Sequence, residues 1–465
     1  MRFIKDDRHD LYQEDIRPFQ PEEKNMSPLT LGITWFGISV QLGIFLLCGQ
    51  LAGSLTLWQI ALALVAGLVL CWGIAILVGE VGIKFGLPYV ANGRAAFGYK
   101  GVHLIGLCKF VPSVFWAGMN IWMCGQALSE VLLLTIGVHN LPICMAVCAV
   151  VMVVLVFHGA KFVSLFNYFV SPMLLIIGIY MLYLLLSSNQ TSLSQVLTMG
   201  SPGGSFSGFV FAAMGITGGW IMVVAGINDI TRECTAPGDT NQSWWHINGK
   251  FSVAQFLGLV PGTLLFGMIG AISMVLTGTG NPVEAITAIV AKSSVTAAVI
   301  CQVFVLLALL STNSGANILG AAYIVCNTFK KVNLKTAAVG VAALALVIQP
   351  WNATSMLETF MNILGNMMAP VAGILITDYY LIRKRQLDLD QLYCSSGKYR
   401  YWKGINPAAM IAYGVSILIS LLAWNYMILI AVFASGIIYY FLMKKWILKR
   451  YPGNAEIPIG EENVL

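Results

Sequence analysis

Residues 57–80 read LWQIALALVAGLVLCWGIAILVGE, and the only charged side chain in this run is the last one, Glu80. A helix needs about 20 apolar residues to cross the hydrocarbon core of a bilayer. Because lipid cannot hydrogen-bond the backbone, such a run must be helical, whereas barrel strands would be shorter and would alternate apolar and polar residues. The run therefore predicts a membrane-spanning helix and an all-α integral membrane fold.

Similar apolar runs recur along the chain, separated by short polar connections, and together they predict twelve transmembrane helices. The third and eighth runs are long enough to require tilted helices. The predicted spans, in chain order, cover residues 29–54, 57–80, 103–136, 141–158, 162–186, 207–227, 252–277, 294–327, 335–350, 357–382, 407–424 and 426–444.

The composition excludes several other classes of protein. Only 10% of the 465 residues are charged and 58% are hydrophobic, so a soluble fold would have too few polar side chains to cover its surface. The net charge of +6 does not predict a nucleic-acid partner, since the basic residues lie at the ends of the predicted spans. The ten cysteines and five histidines have no metal-site spacing, so we expect no cofactor and no membrane metalloenzyme.

The distribution of lysines and arginines between the two sides of the membrane is a test of the topology that does not depend on hydropathy. In the twelve-span layout 25 of the 26 fall on one side of the membrane, and only Lys292 falls on the other. Basic residues accumulate on the cytoplasmic side, so both termini are predicted to be cytoplasmic and the protein to lie in the cell (inner) membrane. The predicted organisation is a cytoplasmic tail over 1–26, one transporter domain over 27–446 and a cytoplasmic tail over 447–465.

Two predicted spans carry flexible, polar interruptions. Span one has Ser39 and Gln41 between glycines, and span six has GITGGW at residues 215–220. Transporters built from inverted repeats interrupt one helix in each half to bind substrate near the midplane, and five helices separate these two patches. Glycines also allow membrane helices to pack closely, and the spacing does not decide between the two interpretations.

Spans three and eight carry polar side chains within apolar sequence. In span three Trp116 and Asn120 are four residues apart on one helical face, an arrangement that suits a flat polar heterocycle, although Trp also anchors helices at interfaces and Asn also ties helices together. Span eight reads STNSGAN at residues 311–317, where the hydroxyls and the Ala308 carbonyl favour a hard cation over simple interhelical bonding. No Asp or Glu lies deep in spans one, three or eight, which favours sodium over a proton relay.

Several segments together resemble the nucleobase-cation symporters, a family that includes cytosine, uracil, allantoin and hydantoin permeases. The segments that carry the resemblance are GLPYVANGRAAFG (86–98), WAGMNIW (116–122), GGW with NDITR (218–232), STNSGAN (311–317), DYYLIRKRQLDLDQLY (378–393) and YRYWKGINPAA (399–409). The resemblance implies a leucine-transporter-like fold in which spans one to five and six to ten form a five-plus-five inverted repeat, followed by two C-terminal helices.

The resemblance also implies specific binding residues. The implied substrate-binding residues are Gln41, Trp116, Asn120, Gly219, Trp220 and Asn317, with the two indoles sandwiching the ring. The implied sodium ligands are the carbonyls of Gly37 and Val40 together with Ala308, Ser311 and Thr312. Four charged residues that match family positions, Arg94, Asp229, Arg232 and Asp378, are predicted to act either as a charged gate or as juxtamembrane anchors.

The chain differs from the hydantoin and allantoin carriers of this family at two positions. Hydantoin and allantoin carriers have Gln where this chain has Asn120, and they have a proline soon after the span-one interruption, where this chain has Gly43. The identity of the transported ring is therefore left open.

The predicted function is sodium-coupled import of a nucleobase or a related heterocyclic amide, without chemical change, by a protein acting as a monomer in the lipid bilayer. A proton-coupled permease and an amino-acid carrier of the same fold are the alternatives within transport. A channel would require a polar lining along several helices, and an enzyme would require grouped His, Cys or carboxylates at one face. The sequence has neither pattern.

Overall fold

The architecture is known from a computed structural model that describes residues 3, 6–39, 42–236, 242–329 and 331–452. Within those ranges every regular element is helical, and no β-strand is present. The helices that correspond to the predicted spans are α1 (Pro28–Ser39), α2 (Leu42–Leu51), α3 (Leu57–Phe85), α5 (Val102–Ile136), α6 (Leu141–Phe157), α7 (Gly159–Ser188), α9 (Phe206–Ala225), α11 (Trp244–Thr277), α13 (Val295–Thr312), α14 (Leu319–Thr328), α15 (Leu334–Ile348), α16 (Leu357–Thr377), α18 (Pro407–Leu421) and α19 (Met427–Leu442). The short helices are α4 (Tyr89–Phe97), α8 (Leu193–Leu197), α10 (Asn228–Thr231), α12 (Pro282–Ser293), α17 (Leu389–Leu392) and α20 (Leu448–Arg450).

Seven of these helical stretches in the described ranges are long and apolar enough to cross a membrane, and α1 with α2 forms an eighth as a pair bent by 54°. Four further apolar helices are shorter: 141–157, 172–188, 334–348 and 407–421. Among these seven long stretches, the one formed by α9 and α10 is the most enclosed. In its most apolar part 83% of the residues are buried, compared with 44% in α3. The interior of the bundle is therefore built around α9, and α3 faces outward.

Local sequence signals fix where the helices begin and end. The Thr56 hydroxyl accepts from the Gln59 amide at 3.3 Å, and the Gln59 side chain accepts from the Thr56 amide at 3.0 Å, a capping box that starts α3. Gly86 ends the same helix in the left-handed region, at φ 70°. A β-carbon there would lie 2.4 Å from the Phe19 carbonyl, so position 86 requires glycine for conformation and for space.

Two helices extend beyond the predicted spans. The helix of the seventh span, α11, begins at Trp244, eight residues before the predicted start at 252, because the Ser243 hydroxyl caps it. The twelfth helix does not end near 444 but continues through a π-helical turn (Met443–Ile447) to Arg450, so part of the predicted tail is helical.

The structure decides between the two interpretations of residues 215–220 that the sequence left open. Helix α9 is continuous through GITGGW and ends only at Ala225. A β-carbon on Gly218 would lie 2.1 Å from the Met361 carbonyl, and one on Gly215 would lie 3.1 Å from the Asn362 amide. The glycines therefore allow α9 and α16 to pack closely, which is the alternative that the spacing left open.

Residues before α1 pack against the bundle rather than extending away from it. The Phe19 amide donates to the Gly86 carbonyl at 2.9 Å, the Tyr393 hydroxyl donates to the Ile16 carbonyl at 2.8 Å, and the Met26 amide donates to the Glu233 carbonyl at 2.9 Å. Ile16 is fully buried. We refer to residues 11–27 as the N-terminal strap, because they cross one end of the bundle.

Candidate functional site

Trp116 lies on α5 and is only 2% exposed. Its ring edge packs against α2, where a β-carbon on Gly43 would lie 2.1 Å from the indole Cζ3. Phe115 beside it stacks on Phe360 of α16, with ring centroids 5.6 Å apart and planes at 17°. Glycine at position 43 is therefore required by this placement of Trp116, which gives the sequence departure at that position a steric reason.

Trp220 lies on α9 and is 1% exposed. It packs against Trp35 of α1, with ring centroids 6.1 Å apart and planes at 47°. Within the described residues neither indole nitrogen has a hydrogen-bond partner. Buried indole N–H groups normally find an acceptor, so this pair marks a place where a polar group is expected to bind. The sequence interpretation did not include Trp35, since a lone Trp in an apolar helix gives no signal of its own.

Asn120 lies one turn after Trp116 and is fully buried. Neither its side-chain nitrogen nor its side-chain oxygen has a partner in the part of the chain that the structure describes. Leaving a buried polar group unsatisfied costs about 1–3 kcal/mol. A bound ring with amide-like edges would hydrogen-bond to the Asn120 carboxamide, which has no partner among the described residues, and would stack on the neighbouring indole.

Asn313 and Asn317 join α5 to the segment between α13 and α14. The Asn317 amide donates to the Asn313 oxygen at 2.9 Å, and the Asn313 amide donates to the Ala117 carbonyl at 3.1 Å. Both lie in a π-helical turn, Asn313–Ile318, a deviation that occurs often at functional sites. The two asparagines therefore lie on the same face of the turn, and through Asn313 this chain of bonds connects Asn317 to Ala117, the residue after Trp116.

Two of the five predicted sodium ligands, Gly37 and Thr312, are in contact between α1 and α13. The Thr312 hydroxyl donates to the Gly37 carbonyl at 3.2 Å. Gly37 lies in the last turn of α1, where carbonyls lack intrahelical donors and the helix dipole is negative. Hard cations take oxygen ligands at about 2.3–2.6 Å, so two oxygens at this separation fit one coordination sphere. The residues present are therefore compatible with a bound sodium ion.

The structure describes only some of the other predicted site residues. Ala308 and Ser311 are 3% and 1% exposed on α13, on the side of Thr312. Val40 and Gln41 lie outside the described residues. Gly219 lies inside the continuous helix α9, where backbone groups bond within the helix, so its role as a backbone ligand stays a prediction.

A buried ion pair lies towards the strap end of the site. Lys109 of α5 is 4% exposed, and its Nζ lies 2.5 Å from the Asp229 carboxylate. The Tyr89 amide donates to the same carboxylate at 2.9 Å, and the ammonium lies 4.9 Å from the Tyr89 ring centre. A narrow cavity of 30 Å³, large enough for about one water, is lined by both Ser311 and Asp229. The sequence interpretation did not include this ion pair, because its two residues are 120 positions apart.

Three other charged residues predicted to be gates or anchors contact protein. Arg94 donates to the Asn327 side chain at 2.8 Å, and the Arg232 guanidinium lies 3.9 Å from the centre of the Phe19 ring. Asp378 accepts from Arg383 at 2.6 Å. All three are less than 5% exposed, and this burial favours the gate interpretation of Arg94 and Arg232 over the anchor interpretation.

Comparison with known proteins identifies the family of this chain. Residues 18–443 match the family model described as permease for cytosine/purines, uracil, thiamine, allantoin. The chain belongs to this permease family. It is 36% identical over 452 residues to the hydantoin permease of Microbacterium maritypicum, which covers 96% of this chain and 92% of that protein. The allantoin permease of Bacillus subtilis is 28% identical over 440 residues, covering 89% and 87%.

Two solved transporter structures resemble this chain over nearly its whole length. Mhp1, a nucleobase-cation-symport-1 family transporter in a closed conformation with bromovinylhydantoin bound, has a TM-score of 0.90 at 36% identity and covers 95% of this chain and 97% of its own. A Na⁺-coupled sialic acid symporter has a TM-score of 0.61 at 11% identity, covering 92% and 91%, which shows the fold alone. The family and the leucine-transporter-like fold implied by the sequence are confirmed. The permease is a multi-pass membrane transporter and not an enzyme.

Proposed function

We propose that the permease imports a nucleobase or a related heterocyclic amide of the hydantoin or allantoin type, coupled to sodium. The observation that carries the proposal is the buried, unpartnered carboxamide of Asn120 one turn from Trp116. A planar ring with adjacent N–H and C=O groups satisfies both amide atoms and stacks on the indole. Trp220 supplies the second indole, and Asn317 and Gln41 supply further polar contacts.

We propose sodium as the coupling ion, held by the carbonyls of Gly37, Val40 and Ala308 and the hydroxyls of Ser311 and Thr312. The contact between Thr312 and Gly37 supports this assignment, because it joins a carbonyl in the last turn of α1 to a hydroxyl on a second helix. An ion that binds there links α1 to α13. The ion thereby stabilises one arrangement of the two helices, and by linkage substrate and sodium increase each other's affinity.

We propose a twelve-span architecture with a five-plus-five inverted repeat. The bent pair, the seven long helices and the four shorter apolar helices supply twelve candidates. Equivalent positions in the two halves have similar lengths: 35 residues in α5 against 34 over Val295–Thr328, and 17 in α6 against 15 in α15. A short helix follows the second long helix in each half, α4 in one and α12 in the other.

We further propose that both termini are cytoplasmic, that the membrane is the inner membrane of the cell, and that one chain is the transporting unit. Substrate release on the cytoplasmic side then requires the strap end of the bundle to open. The narrow cavity between Ser311 and Asp229 lies on that route.

Uptake by purified protein in proteoliposomes tests the proposal. We expect nucleobases, hydantoins or allantoin to accumulate when sodium is outside, and accumulation to fall to the background level when choline replaces sodium at constant pH. Accumulation driven by an imposed pH gradient without sodium would contradict sodium coupling. Uptake of amino acids but of no heterocycle would contradict the substrate class.

A further inference from the structure

An apolar groove of 620 Å³ runs along the outside of the bundle, between α3, α16 and α19. Its walls include Leu77, Ile376, Phe433 and Phe441, and both phenylalanines are exposed. Its floor includes Gly73, and no atom lies within 4 Å of the position that a β-carbon would take there. The groove is therefore open space on a surface that faces lipid, and it is separate from the candidate transport site.

The groove has the depth of one membrane leaflet. Its lining residues run over 69–77 on α3, 373–381 on α16 and the π-helical turn that continues it (Asp378–Ile382), and 432–441 on α19. At 1.5 Å per helical residue these stretches are about 12–14 Å long. Half of the hydrocarbon core measures about 15 Å, so the acyl chains of one leaflet match the groove in length.

One end of the groove is basic. Lys444 and Lys445 follow the lining residues Tyr440 and Phe441 by one helical turn, and both lysines are exposed. Their Nζ atoms lie 5.7 and 5.5 Å from the centres of the Tyr440 and Phe441 rings. No ion pair among the described residues involves either lysine. The exposed indole of Trp446 beside them is typical of the headgroup level.

We infer that this groove binds an anionic phospholipid, with its acyl chains between α3, α16 and α19 and its phosphate between Lys444 and Lys445. The apolar walls account for the chains, and the two unpaired ammonium groups at the headgroup level account for the negative charge. A zwitterionic lipid of the same chain length fills the groove but adds no net charge for the lysines to attract. The bound lipid bridges α19 to α3 and α16, and α16 packs against α9 at the candidate site.

Native mass spectrometry of the detergent-solubilised protein tests this inference. Wild type is mixed with phosphatidylglycerol or with phosphatidylcholine of identical acyl chains, and the lipid adducts are counted. Near a membrane surface each basic residue contributes about 1 kcal/mol, or roughly fivefold in affinity, so we expect Lys444→Gln/Lys445→Gln to weaken phosphatidylglycerol binding by more than tenfold. Phosphatidylcholine binding should be unchanged by that double substitution.

Two further variants separate the groove from general basicity. Gly73→Leu places a side chain in the open floor and should reduce adducts of both lipids. Lys335→Gln is the matched control, because Lys335 is exposed and its Nζ lies 5.6 Å from the centre of the Phe157 ring, away from the groove.

Three results would overturn the inference. Equal retention of the two lipids by wild type would remove the charge preference, and equal loss in Lys335→Gln would show that any surface lysine suffices. Dimers that dissociate on Gly73→Leu would show that a second copy of the chain occupies the groove.

Discussion

At the scale of single residues, the candidate substrate site depends on tryptophan and asparagine side chains. The sequence alone does not decide whether such a residue in a membrane helix binds substrate or has a structural role. A tryptophan inside an apolar helix is more often an anchor, and an asparagine is more often a helix tie. Burial decides between these interpretations here, because Asn120 is fully enclosed and has no protein partner among the described residues. Asn313 shows the opposite case, since its amide is satisfied by Ala117 and its role is to hold Asn317.

Replacing Trp116 by alanine should weaken substrate binding. Stacking of a base on an aromatic ring contributes about 1–3 kcal/mol, so the dissociation constant should rise by roughly 5- to 150-fold. Equilibrium binding of the transported heterocycle measures this change. Trp58→Ala is the control, because Trp58 is 56% exposed on the outer face of α3 and should leave affinity unchanged. Unaltered affinity in Trp116→Ala would refute the stacking role.

Replacing Thr312 by alanine should impair sodium coupling. The substitution removes the hydroxyl that meets the Gly37 carbonyl, and a polar contact to a charged group contributes about 1.5–3 kcal/mol. We expect the sodium concentration for half-maximal uptake to rise at least about tenfold. Thr312→Ser keeps the hydroxyl and should retain most of the coupling. If both variants respond to sodium like wild type, the cation binds elsewhere.

At the scale of helices, the glycines of α9 serve packing. The sequence pattern at residues 215–220 is equally compatible with an interrupted helix, because glycine favours both a break and a close approach. The neighbouring helix decides: α16 comes so near that a β-carbon on Gly218 would overlap the Met361 carbonyl, and one on Gly365 would lie 2.5 Å from the Gly218 Cα.

Gly218→Ala should therefore destabilise the bundle. Forcing an extra carbon against backbone costs about 1–3 kcal/mol, so the thermal unfolding midpoint in detergent should fall. Gly73→Ala is the matched control in α3, where the β-carbon meets open space and the added helix propensity should hold or raise the midpoint. A midpoint for Gly218→Ala equal to that of Gly73→Ala would show that α9 and α16 are not in close contact.

At the scale of the whole molecule, the N-terminal strap closes one end of the bundle by contacts with parts of the chain that are far apart in sequence. Arg17 and Glu23 form a bidentate ion pair within the strap, at 2.5 and 2.7 Å. The Arg17 guanidinium lowers the pKa of Glu23 from 4.5 to about 2. Since the folded pKa lies below the unfolded value, the pair stabilises the strap above pH 4.5 and loses this contribution as the pH falls towards 2.

Lowering the pH should therefore loosen the strap. A nitroxide label at Asn25→Cys reports strap mobility by electron paramagnetic resonance, and in the wild-type background mobility should increase as the pH falls below about 4. The effect should be modest, because the Glu23 side chain is 37% exposed and solvent screens the pair. Glu23→Gln should give a mobile label at every pH, whereas Asp7→Asn should titrate like wild type. A label whose mobility is the same at all pH values in the wild-type background would show that the ion pair does not hold the strap.

The sequence by itself determined the all-helical membrane class, most helix positions and the family. Those properties depend on the length of apolar runs and on local spacing, which are read directly along the chain. The tertiary structure alone decided that α9 is unbroken, that Lys109 pairs with Asp229, that Trp35 backs Trp220 and that Gly43 accommodates Trp116. Each of these depends on a partner that lies dozens to hundreds of residues away, and only packing brings such partners together.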